Sequence, residues 1–274
     1  MMRSMARALP PSVAAFALVG TALTAGAWRW LQFARLARIG ELLANQAVPF
    51  ECTASDDAPR VLVLGDSTGV GTGAQRPQDS LAGQLSAQFP HVTIVNRARN
   101  GARTLDALMQ LADEAGGRYD VVLIHVGGND VLRGTPLRAL VPQVEALITR
   151  ARRLCKHVIV TTTPNVGLLP AFFPPFSWWL SRRSRQVCEL FARAAQRHGA
   201  HYVNFYHPRK SDPFSRDWQR YFAPDRLHPS TACYQYVYTA LVTSTPLPDA
   251  LARQCPPMTV RTSMSSGKNE ISSA

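Results

Sequence analysis

VLVLGDSTGVG, residues 61–71, decides how the body of this chain is read. Residues 61–64 form a short apolar strand, and Gly65-Asp66-Ser67 turns away from its end. In sheets covered by helices, groups just beyond the carboxyl ends of strands face the ligand crevice, so Ser67 stands where chemistry is done. The same stretch fits two other patterns. Residues 65–69 satisfy G-x-S-x-G, the strained serine turn of a larger α/β fold. Here the serine follows the first strand, and the only acid and histidine paired by a motif, Asp225 and His228, lie on one short turn rather than on distant loops. Residues 69–74, GVGTGA, satisfy a dinucleotide fingerprint. Gly69 lies well past the strand, however, and the second strand is followed by Asn96 instead of an acid for a ribose. No cofactor is expected.

Outward from this stretch, strands and helices alternate. Apolar runs at 91–95, 121–126, 158–162 and 202–205 read as strands, the run at 121–126 β-branched enough for burial on both faces. Helices are expected from Ser80 to about residue 89, from Thr104, over 136–154, over 177–198, and from Ser230 to just before Pro246. This alternation predicts an α/β fold with a central parallel sheet covered on both sides. Ser67 follows the first strand, Gly101 the second and Asn129 the third, so all three reach one rim.

Their chemistry is complementary. A serine hydroxyl is a poor nucleophile without a base. His228 is that base, and Asp225, on the same turn, accepts its second ring N–H and holds its tautomer. The backbone N–H groups of Ser67 and Gly101, with the side-chain amide of Asn129, would receive a developing oxyanion. Asp66 and Asp130 read as structural acids and His125 as a core histidine. His91, His157, His198, His201 and His207 lack motif partners, and no set of residues has metal-ligand spacing.

These four blocks resemble the SGNH (GDSL) hydrolase family over about residues 60–245. VLVLGDSTGVG is similar to its first block, NRARNGART to the second, LIHVGGNDVLRGTP to the third and DRLHPS to the last. The third and last are most similar to the bacterial thioesterase and lysophospholipase branch. Thr68 departs from the usual wording. The resemblance implies a flavodoxin-like three-layer sandwich over residues 59–255. It implies catalytic residues Ser67, Asp225 and His228 with Gly101 and Asn129 at the oxyanion. It further implies a serine esterase acting through a covalent acyl-enzyme on lipid or acyl-thioester substrates. An O-acetyl esterase of cell-wall polysaccharides and a non-catalytic binding protein are the alternatives.

Composition bounds the partners. Thirty Lys and Arg against 18 Asp and Glu give a net charge of +12, scattered rather than clustered with aromatics, which argues against nucleic acid. A small-molecule or lipid ester is the expected partner. Five cysteines show no metal or CxxC spacing and read as idle thiols, with Cys233 and Cys255 a possible pair only in an oxidising compartment. Residues 9–28 are apolar and follow Arg3 and Arg7, which predicts a membrane anchor within residues 1–30 that holds a periplasmic domain at a bacterial inner membrane. Cleavage after Ala27 would release a secreted protein instead. Residues 31–58 read as a linker or a helix lying on a bilayer or on the domain, and residues 256–274 as a disordered tail. The aromatic stretch at 168–180, LLPAFFPPFSWWL, reads as a loop on the active-site rim. Its Phe172, Phe173, Phe176, Trp178 and Trp179 are candidates for an acyl wall.

Overall fold

The computed structural model describes residues 11–252. The predicted strands form one five-stranded sheet: β1 (Arg60–Gly65), β2 (Thr93–Asn96), β3 (Val121–His125), β4 (His157–Thr161) and β5 (His201–Val203). Every pairing is parallel and the order is β2-β1-β3-β4-β5. That is the flavodoxin-like order, in which the chain leaves β1 for one edge and returns beside it through β3. The crevice where the order reverses therefore lies between the ends of β1 and β3. All five residues of β3, and residues 61–65 of β1, are buried, as continuous apolar strands must be when helices cover both faces.

The helices follow the expected order. α2 (Ser67–Val70) is a single turn after β1, and α3 (Leu81–Gln88) starts at Ser80, whose hydroxyl accepts from the Gly83 amide. α4 is Thr104–Ala112, α5 is Gly128–Leu132 and α6 is Leu137–Leu154. α7 (Phe176–His198), α8 (Pro213–Arg216), α9 (Trp218–Tyr221), α10 (Thr231–Ser244) and α11 (Leu247–Leu251) follow among the described residues. The one-turn helices α2 and α5 are too short for a periodic signal, and both sit at the crevice.

The aromatic stretch departs from its reading as a loop. Only residues up to Pro175 are irregular; Trp178 and Trp179 lie in the first turn of α7. Proline is compatible with a helix start because the first amides have no intrahelical acceptor.

The N-terminal segment departs further. One helix, α1 (Pro11–Gln46), runs through both the apolar run and the segment after it. Among the described residues no helix is long and apolar enough to cross a membrane. The expected anchor, and membrane attachment through it, are therefore not supported. The helix continues through Arg29, Arg35, Arg38 and Glu41, and its second half packs on the domain. Gly40 is buried there, and the Asn100 side-chain amide donates to the Ala44 carbonyl at 2.8 Å. Residues 1–10, Cys255 and the tail at 256–274 lie outside the described residues. Cys52, Cys155, Cys188 and Cys233 are free thiols.

Candidate active site

The predicted residues come from four separate places in the chain. β1 ends at Gly65, and Asp66 caps α2 by accepting the Thr68 amide at 2.9 Å. Ser67 is the first residue of that helix, so its N–H has no intrahelical acceptor. Among the described residues neither the Ser67 nor the Gly101 amide makes a hydrogen bond. Gly101 has φ +76, a left-handed conformation that glycine adopts without strain, and a Cβ there would lie 3.1 Å from the Arg133 guanidinium. Asn129, near the start of α5, donates one amide hydrogen to the Ala102 carbonyl at 3.1 Å. Its second hydrogen is left for a ligand. That bond ties the Asn129 donor to the loop that carries Gly101.

Asp225 and His228 form a close pair. His228 Nδ1 and Asp225 Oδ2 are 2.5 Å apart. The other carboxylate oxygen accepts the Leu227 amide at 3.1 Å and the His228 amide at 3.0 Å. Burial opposes the charge on Asp225, but the bond from His228, its proximity and the two amides outweigh it and hold the carboxyl below its usual range. Between them Arg226 takes φ +60, which costs a non-glycine residue about 1–2 kcal/mol. Closing bonds offset that strain. Ala223 N–H donates to the His228 carbonyl at 2.8 Å, Arg226 N–H to the Ala223 carbonyl at 2.8 Å, and the Arg226 guanidinium lies 5.0 Å from the Trp218 ring centre.

Ser67 and His228 line the same two cavities, one on either side of them. Among the described residues no hydrogen bond joins the two side chains; such catalytic bonds commonly tighten only when substrate is bound. The inner cavity, about 90 Å³, is bordered by Asn129, Thr162, Pro164, Leu169 and Phe205. The outer one, about 470 Å³, lies beneath α1 and is bordered by Phe33, Leu36, Gly101, Phe172 and Phe176. Of the aromatic candidates, only Phe172 and Phe176 border it. Phe173, Trp178 and Trp179 do not line it; all three are exposed, as Phe176 also is in part, and Trp179 packs against Gly134. The α1 residues are the part that the sequence reading missed. The available signal was the i, i+3, i+4, i+7 spacing of Phe33, Leu36, Ala37 and Gly40, which marks one helix face.

The remaining candidates are structural. Asp130 accepts the amide and hydroxyl of Thr104 at 2.9 and 2.7 Å, which fixes α4 to α5. His125 bonds Thr161, and burial pulls its pKa down to about 4, so it is neutral. The dinucleotide-like glycines serve packing: a Cβ at Gly69 would meet the Ala98 Cβ at 2.7 Å, and one at Gly71, with φ +95, the Ser80 Cβ at 2.5 Å. Among the described residues no group of three or more His, Cys, Asp and Glu could hold a metal ion.

A parallel α/β sandwich with Ser67, His228 and Asp225 gathered beyond the carboxyl ends of its strands is an SGNH-type hydrolase fold. The chain belongs to the GDSL-like lipase/acylhydrolase family, a family of ester-hydrolysing enzymes whose pattern it matches over residues 63–236. It is 31% identical over 125 residues to an arylesterase of Vibrio mimicus, a match covering 42% of this chain and 60% of that protein. The chain thus spans about 60% of the length of that curated relative. Solved structures share the fold. The psychrotrophic esterase EstA of Pseudoalteromonas sp. is 21% identical with TM-score 0.52, covering 68% of this chain and 95% of that one. TesA is 20% identical with TM-score 0.55, covering 69% and 99%. A lipolytic G-D-S-L family protein of Veillonella parvula is 19% identical with TM-score 0.55, covering 68% and 97%.

Proposed function

We propose that this protein hydrolyses carboxylic esters of acyl chains through a covalent intermediate on Ser67. The observation that carries this reading is the short Asp225–His228 pair facing the cavities of Ser67, beside two unpaired backbone amides. Ser67 Oγ attacks the ester carbonyl and its proton passes to His228 Nε2. Asp225, holding the Nδ1 proton, steadies the imidazolium. The carbonyl oxygen becomes an oxyanion that accepts hydrogen bonds from the amides of Ser67 and Gly101 and from Asn129 Nδ2. Collapse of this adduct breaks the ester C–O bond, or the C–S bond of a thioester, and the departing alcohol or thiol takes the proton from His228. Water then gives a proton to the same imidazole and attacks the acyl carbon. The acid is released and Ser67 regains its proton.

The apolar outer cavity favours an acyl chain of several carbons as substrate, in an ester or thioester. A second reading, removal of O-acetyl groups, draws on the inner cavity, whose size suits a small acyl group. A fluorophosphonate probe tests the shared chemistry: intact-mass analysis should show one adduct, located on Ser67 and absent from Ser67→Ala. Labelling of another residue would overturn the proposal. Hydrolysis rates along a series of p-nitrophenyl esters, from acetate to decanoate, separate the two readings.

A further inference from the structure

We infer that the second half of α1, from Phe33 to Ala44, is a wall of the acyl site, and that Leu36 and Ala37 limit the size of the acyl group admitted. This deepens the ester-hydrolase reading and rests on it. The family match begins at residue 63, so the wall comes from outside the conserved pattern. At 1.5 Å per residue, the helix spans about 16 Å between Phe33 and Ala44. It is fastened at three places. The Phe33 ring lies 6.5 Å from that of Phe172. Gly40 is buried against Asp225, and the Ala44 carbonyl accepts the Asn100 amide. Between these points the helix does not fill the space beneath it. What remains is the cavity of about 470 Å³ with Ser67 and His228 at its base.

The lining points to an acyl chain rather than to a sugar. Leu36, Ala37, Leu132, Phe172 and Phe176 turn carbon toward this space. Each methylene buried against such a wall strengthens binding about fourfold. Bulk added to the helix at Ala37 would occupy the volume the chain needs, whereas bulk removed at Leu36 would lengthen it.

The test compares kcat/KM for p-nitrophenyl decanoate and acetate in the full-length protein. Ala37→Trp should lower the decanoate-to-acetate ratio at least tenfold, and Leu36→Ala should raise it. Leu42→Trp, exposed on the same helix but outside the lining of the cavity, should leave the ratio unchanged. An unchanged ratio in Leu36→Ala, or equal losses on both esters in Ala37→Trp, would overturn the wall while leaving Ser67-dependent hydrolysis in place. If Ala37→Trp fails to fold, Leu36→Ala decides alone. Absence of hydrolysis of every ester by the unmodified protein would instead overturn the reading on which the wall rests.

Discussion

Gly40 of α1 lies so close to Asp225 that a Cβ on it would stand 2.9 Å from Oδ2, the oxygen that bonds His228. The two residues are far apart in sequence, and only the absence of a side chain lets the helix seat against the acid. Within a helix, glycine to alanine ordinarily adds up to about 1 kcal/mol of stability. Here the added carbon must displace either the helix or a carboxylate held on three sides. Gly40→Ala should therefore lower kcat/KM about tenfold, since small displacements of a catalytic pair are costly, without the rise in Tm that helix propensity alone would give. A more stable variant with full activity would show that α1 does not bear on the acid.

The acid, base and nucleophile should fail as a unit. Ser67→Ala and His228→Ala are each expected to reduce turnover by about 10⁴-fold or more, and the double variant little further. Asp225→Ala should cost less, because the His228 backbone stays fixed by the closed turn from Ala223. Single-turnover rates with p-nitrophenyl acetate measure all four. Multiplicative losses in the double variant would mean that the two side chains act independently.

Asn129→Ala should lower kcat about 10²-fold with little change in KM, because the oxyanion it serves exists mainly in the transition state. The same variant removes the bond to Ala102. A control at Asp130, where Asp130→Asn keeps the oxygen that accepts the Thr104 groups, separates loss of a donor from loosening of the loop. If KM rises at constant kcat, Asn129 holds substrate and not the transition state.

The sheet and the four site blocks were legible because their signals are local. Continuous apolar runs such as VVLIH at 121–125 mark buried strands, and each site block directly follows a strand or turn that a few residues define. The Asp225–His228 pair needs only one turn of chain to form. The role of α1 was not legible, because nothing near Gly40 in sequence indicates that Asp225 will pack on it. The spacing of Phe33, Leu36, Ala37 and Gly40 shows that one face is apolar but not what covers it. Phe172 and Phe173 are equally aromatic neighbours, yet only Phe172 borders the cavity, since an irregular turn before α7 decides which ring points inward.

Asp66 gives the protein a pH dependence with a definite sign. Burial pushes its carboxyl from the 3.8 of an unfolded chain up to about 7, against the pull of the Thr68 amide and of His228. The folded state thus holds this proton more tightly than the unfolded one. Its favourable contribution is complete below the unfolded value, declines as pH rises, and is gone once the pH passes about 7. Asparagine at this position still offers an oxygen to the Thr68 amide, so the cap on α2 is kept, and it has no proton to lose. Between pH of about 4 and about 8, the Tm of the unmodified protein should therefore fall relative to that of Asp66→Asn, most steeply midway between the unfolded and folded values, and should level off above about 7. Thermal melts of both proteins across this range measure the difference. A constant gap between the two would mean that Asp66 is ionised in the folded protein throughout, with the Thr68 amide and His228 outweighing its burial.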